Sequence, residues 1–128
     1  MPLFLHTRIR VSNLDQSIRF YTENLGFRVK SGPNTSPAGN TIIHLEIPGN
    51  EHTLELTYSP NYEVKVPEDL MHIAIGVKDL IATCDELEKK GIEIWPDGWR
   101  EKFEFERKIA FIDDPDGYEI EYLEREGG

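Results

Sequence analysis

Leu5-His6-Thr7-Arg8-Ile9-Arg10-Val11-Ser12-Asn13-Leu14 is followed 66 positions later by Met71-His72-Ile73-Ala74-Ile75-Gly76-Val77-Lys78-Asp79-Leu80. At that offset His6 falls on His72, Ile9 on Ile75, Val11 on Val77 and Leu14 on Leu80. Coincidence gives one such match easily and four together rarely, so the two blocks read as copies of one structural unit. Within the first block His6, Arg8 and Arg10 alternate with Leu5, Ile9 and Val11, with Thr7 among the latter. That is the pattern of a strand with one face toward a core.

The offset continues to the far ends of the copies, where Glu55 and Glu121 are again 66 positions apart and Leu54 falls on Ile120. Between these ends, Ser12 or Asn13 can cap a helix whose Leu14, Ile18, Tyr21 and Leu25 share a face, and Gly26 stops it. Phe27 to Lys30 begins a strand. Ser31 to Asn40, with two prolines and two glycines, reads as a loop. Thr41 to Ile47 and Thr53 to Tyr58 read as strands around Pro48-Gly49-Asn50. The second copy repeats the order: strand Met71 to Val77, a helix from Asp79 to Lys90 with Leu80, Cys84 and Leu87 on its core face, and Gly91 as its stop. Strands follow near Ile92 to Trp95, Lys108 to Ile112 and Tyr118 to Leu123, the last pair joined by a Pro115-Asp116-Gly117 turn. The expected fold class is α+β, with tandem βαβββ modules in one domain over 1–128. The repeats span about 4–58 and 70–124, and the linker is Ser59 to Asp69.

The 128 residues suffice for one such domain with a shared core and exclude a further one. Twenty-four acidic against 14 basic residues give a formal charge of -10, which argues against nucleic acid or an anionic membrane surface as partner. The lone cysteine cannot form an internal disulfide, the first residues lack signal-peptide character, and no apolar run reaches the roughly 20 residues of a membrane helix. These features point to a cytoplasmic protein.

Taken singly, a histidine or glutamate on a strand is unremarkable. Here each sits among aliphatic neighbours: Leu54 and Leu56 flank Glu55, Ile73 follows His72, and Ile120 and Tyr122 flank Glu121. The polar side chains therefore point away from the helix-covered face. If the two copies pair about a pseudo-twofold axis, His6, Glu55, His72 and Glu121 converge on one concave surface. Two imidazoles and two carboxylates suit a borderline divalent ion such as nickel, cobalt, zinc or manganese, with positions left open for water or substrate. His44 and His52 have no counterpart at the offset and read as ordinary strand and turn residues.

The segments Leu5 to Val11, Leu54-Glu55-Leu56-Thr57-Tyr58, His72-Ile73-Ala74-Ile75 and Asp114-Pro115-Asp116-Gly117-Tyr118-Glu119-Ile120-Glu121 resemble glyoxalase I, lactoylglutathione lyase, of the vicinal oxygen chelate superfamily. The resemblance covers nearly the whole chain. It implies paired βαβββ modules, an open barrel completed across a homodimer, and metal sites that draw ligands from both chains. It implies one divalent metal per site, with nickel or cobalt favoured and zinc or manganese suitable. It also implies isomerisation of a hemithioacetal of methylglyoxal and a thiol, usually glutathione, to the lactoyl thioester, with Glu121 as the proton-transferring base and Glu55 as its counterpart. Moving a proton between adjacent carbons builds negative charge on two oxygens, which a divalent ion accommodates. Other members of the fold are epimerases, dioxygenases or metal-free binding modules, and fold alone does not separate these.

Glutathione carries two carboxylates, so its pocket calls for cations. Arg10 matches the family's basic residue on the first strand, Arg107 or Lys108 can supply another, and Ser59 stands where glutathione-using relatives tend to have Asn. Arg8 and Arg10 read equally as solvated strand residues. Glu68 and Asp69 would repel a glycyl carboxylate, which leaves the thiol open. Trp95-Pro96-Asp97-Gly98-Trp99 and the charged segment to Lys108 read either as a lid or acyl-thiol pocket, or as tryptophans packed on the sheet.

Overall fold

The computed structural model describes residues 1–102 and 108–127. They form two compact units, 1–65 and 66–128. In the first, β1 (His6–Arg10), α1 (Leu14–Asn24), β2 (Arg28–Thr35), β3 (Thr41–Glu46) and β4 (Thr53–Tyr58) make a βαβββ module. Its sheet has the order β1-β4-β3-β2, with β1 parallel to β4 and the other pairs antiparallel.

Register decides which side chains share a face. Arg8 pairs with Glu55 on one side and His44 pairs with Glu55 on the other, so these three project together. Ile9, Ile43, Leu45, Leu54 and Leu56 take the opposite face and are buried with Phe20, Tyr21 and Leu25 of the α1 segment. Complete burial of Tyr21, Leu45 and Leu56 contributes on the order of 1.5–3 kcal/mol for each large apolar side chain. Asn13 accepts a hydrogen bond from the Gln16 amide and so caps α1. At the other end Gly26 holds φ at 80° while Phe27 N–H reaches back to the Tyr21 carbonyl, a glycine-dependent helix stop.

The second unit contains β5 (His72–Val77), α2 (Leu80–Lys89), the short α3 (Trp99–Lys102), β6 (Ile109–Asp113) and β7 (Glu119–Glu124), with sheet order β5-β7-β6. Its central register reproduces that of the first unit. His6 pairs with Thr53 and Arg8 with Glu55, while His72 pairs with Glu119 and Ala74 with Glu121, each position shifted by the same 66 residues. Asp79 caps α2 through the Ala82 amide, as Asn13 caps α1. Leu80, Cys84 and Leu87 are buried, so the cysteine belongs to the core as expected. No helix among the described residues is long and apolar enough to cross a membrane.

Three expectations are corrected. Residues 31–35, expected in a loop, extend β2 to Thr35. The strand absorbs its glycine and proline through register shifts between Val29 and Asn34. Gly32 is required there, because at its φ of 96° an added Cβ would lie 2.7 Å from the Ile42 carbonyl oxygen. The strand expected near Ile92 to Trp95 is reduced to one bridge, Trp95 to Phe111, and Pro96, which has no N–H, stops the pairing from continuing beyond it. Leu5, placed on the core face, is 63% exposed because β1 begins only at His6.

Candidate metal centre

Glu55 lies in the middle of β4, held by buried Leu54 and Leu56 on either side, and is itself 3% exposed. A buried carboxylate needs partners. Arg8 Nε and Thr57 Oγ1, the latter at 3.1 Å, donate to Oε1. The other oxygen, Oε2, is 3.2 Å from His6 Nε2 and 3.3 Å from His44 Nε2. Burial pushes the Glu55 carboxyl up, but the hydrogen bonds from Arg8 and Thr57 and the nearby charges of Arg8 and His6 outweigh it and leave the group below the usual carboxylate range.

In the second unit His72 Nε2 lies 3.5 Å from Glu121 Oε1. The other ring nitrogen, Nδ1, is 2.9 Å from the Leu70 carbonyl oxygen, which can only accept. That contact places a proton on Nδ1, so that the neutral form of the ring presents its Nε2 lone pair to the carboxylate. An imidazole that donates one nitrogen to a carbonyl and presents the other to a cation is the usual orientation of a metal-ligating histidine. Leu70 holds a φ of 70°, a left-handed conformation rare for leucine.

The expected residues therefore gather as two pairs, His6 with Glu55 and His72 with Glu121, one in each unit. Imidazole and carboxylate donors at these separations fit a divalent transition ion, so the donor set is compatible with the metal that the resemblance implies. His44, read from the sequence as an ordinary strand residue, instead joins His6 and Glu55: one donor atom from each of the three lies within 4.8 Å of the others. The 66-residue offset hid it. The connection 47–52 is one residue longer than 114–118, so the structural counterpart of His44 on β6 is Phe111, 67 positions on. A signal was present in the alternation of β3, where His44 sits between buried Ile43 and Leu45 and so must share the face of Glu55. His52 is a turn residue, bonded to Thr7 Oγ1 and the Phe4 carbonyl and stacked on the Phe4 ring.

Arg10 and Ser59 meet each other: Arg10 Nη1 donates to Ser59 Oγ at 3.3 Å, and Ser59 donates onward to Asn40 Oδ1 at 2.7 Å. The Arg10 guanidinium also lies 3.9 Å from the centre of the Tyr62 ring. Arg8, read as either a substrate cation or a solvated residue, is committed to Glu55. Arg107 lies outside the described residues, as does most of the segment between Trp99 and Lys108. Trp95 stacks on Phe111 and donates to Asp113, and Trp99 is buried. Both indoles are thus packed in the fold.

Comparison with known proteins places the chain in a family and a fold. The model of the Glyoxalase/Bleomycin resistance protein/Dioxygenase superfamily matches residues 3–122. A lactoylglutathione lyase of Haemophilus influenzae is 36% identical over 123 residues, covering 94% of this chain and 90% of its own. A probable lactoylglutathione lyase of Synechocystis is 34% identical, covering 94% of this chain and 93% of its own. Among solved structures, the trypanothione-dependent glyoxalase I of Leishmania major superposes with a TM-score of 0.81 at 34% identity, covering 99% of this chain and 88% of that one.

Proposed function

This chain belongs to the Glyoxalase/Bleomycin resistance protein/Dioxygenase superfamily, and within it we propose that the protein is a metal-dependent lyase of the glyoxalase I type. It converts the hemithioacetal of methylglyoxal and a thiol to the lactoyl thioester. The observation that carries the reading is the pair of His–Glu constellations at matching registers, one of them with its imidazole oriented by the Leu70 carbonyl. His6, Glu55, His72 and Glu121 hold one divalent ion, nickel or cobalt by preference, with zinc or manganese also suited. When bound, the ion would supply a Lewis acid toward the charge that develops on substrate oxygen.

The reaction moves one hydrogen. The C–H of the hemithioacetal carbon gives its proton to a carboxylate, which returns it to the neighbouring carbonyl carbon, while the hydroxyl proton passes between the oxygens. Glu121 is the better base. Glu55 is tied by Arg8 and Thr57, whereas no guanidinium or hydroxyl bonds Glu121 among the described residues. His6 and His72 only ligate. Arg10 and Ser59, with Arg107 as a further cation from the sequence, are the residues assigned to the thiol part of the substrate; the relatives are named for both glutathione and trypanothione, so the family leaves the thiol undecided.

The active unit is a cytoplasmic homodimer in which each centre takes His6 and Glu55 from one chain and His72 and Glu121 from the other, since a twofold assembly covers exposed strand edges. Mixing inactive His6→Ala and Glu121→Gln chains tests this, because a heterodimer collects both lesions in one site and leaves the other intact. Partial return of activity supports shared sites; none, despite proven subunit exchange, refutes them. The reaction itself is tested by measuring metal content beside turnover of the preformed methylglyoxal–glutathione adduct. Metal-dependent thioester formation supports the reading. A protein that binds the ion without isomerising adducts of glutathione or trypanothione, or that consumes oxygen instead, refutes it.

A further inference from the structure

We infer that His44 is a fifth protein ligand of the metal, so that the first unit contributes three donors where the second contributes two. The inference rests on the metal-dependent reading above and adds a residue to it. His44 Nδ1 lies 3.0 Å from Thr53 Oγ1, and Thr53 Oγ1 in turn has the Leu5 carbonyl as an acceptor at 3.5 Å. In the tautomer that carries its proton on Nδ1, His44 donates to Thr53 Oγ1 and presents the lone pair of Nε2 to Glu55 Oε2. His6 Nε2 approaches the same oxygen. Two imidazole nitrogens and a carboxylate oxygen thus lie together, an arrangement that a cation completes. A proton bridges one such pair at a time, whereas a metal ion satisfies all three.

The spacing fits. Two donors each about 2.0–2.2 Å from one ion, at angles between a right angle and the tetrahedral value, are about 2.8–3.6 Å apart. The separations from Glu55 Oε2 are 3.2 Å to His6 and 3.3 Å to His44. Oε1 stays with Arg8 and Thr57, which hold the carboxylate for one-oxygen ligation through Oε2. In the second unit the corresponding place is taken by Phe111, whose ring packs edge-on against His72 much as His44 packs against His6. The two half-sites therefore share this aromatic packing, and at this position they differ in the ligating ring.

That equivalence supplies the test: His44→Phe keeps the ring that this fold accepts at the matching position and removes only the ligand. X-ray absorption on the nickel-loaded, full-length protein should count three imidazoles in the wild type, from His6, His44 and His72, and two in His44→Phe. Competition with a chromophoric chelator should show nickel affinity falling by about 100-fold, at or above the top of the roughly 10- to 100-fold range typical of an outer-shell partner. If His44→Phe misfolds by circular dichroism, His44→Leu, which also lacks a ligand atom, is read in the same way. Two imidazoles in the wild type, unchanged by either substitution, overturn the inference, as does unaltered affinity. Adduct turnover measured on the same samples separates the two readings. Turnover with two wild-type imidazoles leaves the glyoxalase reading standing without His44, whereas three imidazoles without turnover leave the ligand standing without that reaction. A wild type that binds no nickel overturns both.

Discussion

The imidazole of His72 donates from Nδ1 to the Leu70 carbonyl at 2.9 Å, and Leu70 makes that carbonyl available by adopting a left-handed φ of 70°. A strained residue two positions before the histidine proposed to bind the metal gives the proposed site a backbone handle, since such a conformation persists only when the surroundings impose it.

Substitutions at Leu70 should therefore act on the metal. Leu70→Pro, whose ring fixes φ near −65°, withdraws the carbonyl and should weaken divalent-ion binding by about 10- to 100-fold, the usual cost of losing an outer partner. Leu70→Gly, which adopts positive φ without strain, should leave it essentially unchanged. Chelator competition on both variants checks this. Equal affinities would mean that the Leu70 carbonyl does not orient His72.

Glu124 ties three elements together: its carboxylate accepts from the Leu80 amide at the start of α2 and from Lys108 Nζ. The hydrogen bonds from Lys108 and Leu80 hold its carboxyl below the usual range. A carboxylate depressed on folding stabilises the native state above its unfolded pKa, and that contribution is lost as pH falls through the folded value. Glu124→Gln should thus be less stable than the wild type at pH 7, and the gap should close on acidification through the range below about 4.5. Urea midpoints at neutral and acid pH measure it. The solvated position of the pair keeps the effect modest.

Cys84 is fully buried in α2, and burial pushes its thiol up to about 11. The thiolate is the reactive form, so the native protein should be inert to an aromatic disulfide reagent at pH 8 and react only after unfolding in urea. Rapid native labelling would contradict the core placement of Leu80, Cys84 and Leu87.

Much of this was legible before any coordinates. The 66-residue offset works because β1 with β4 and β5 with β7 are the parallel pairs of the two sheets, and their register cannot slip by one residue without turning a core face to solvent. His6, Glu55, His72 and Glu121 were therefore visible as ligand candidates, expected together on one ion. His44 was not, because a one-residue difference between the connections 47–52 and 114–118 moves its counterpart to Phe111, and an offset read at one value passes over it. The extension of β2 through Gly32 and Pro33 was hidden for a different reason: residues that ordinarily punctuate loops are here absorbed by shifts of register. Arg8 was left undecided because its partner, Glu55, is remote in sequence and adjacent only through the parallel pairing of β1 with β4.

The central claim, that a carboxylate beside the metal moves the substrate's proton, is tested most directly at Glu121. Metal content by elemental analysis should be measured beside turnover of the preformed hemithioacetal at saturating nickel, for the wild type, Glu121→Gln and His72→Ala. Gln keeps the side-chain length and one ligating oxygen but cannot accept a carbon-bound proton, so Glu121→Gln should hold metal while losing about 10²- to 10⁴-fold in rate, the usual cost of a missing general base. His72→Ala should lose metal first and recover turnover as nickel is raised. A Glu121→Gln protein with a full complement of metal and near-normal turnover would contradict the account and leave Glu121 a ligand only.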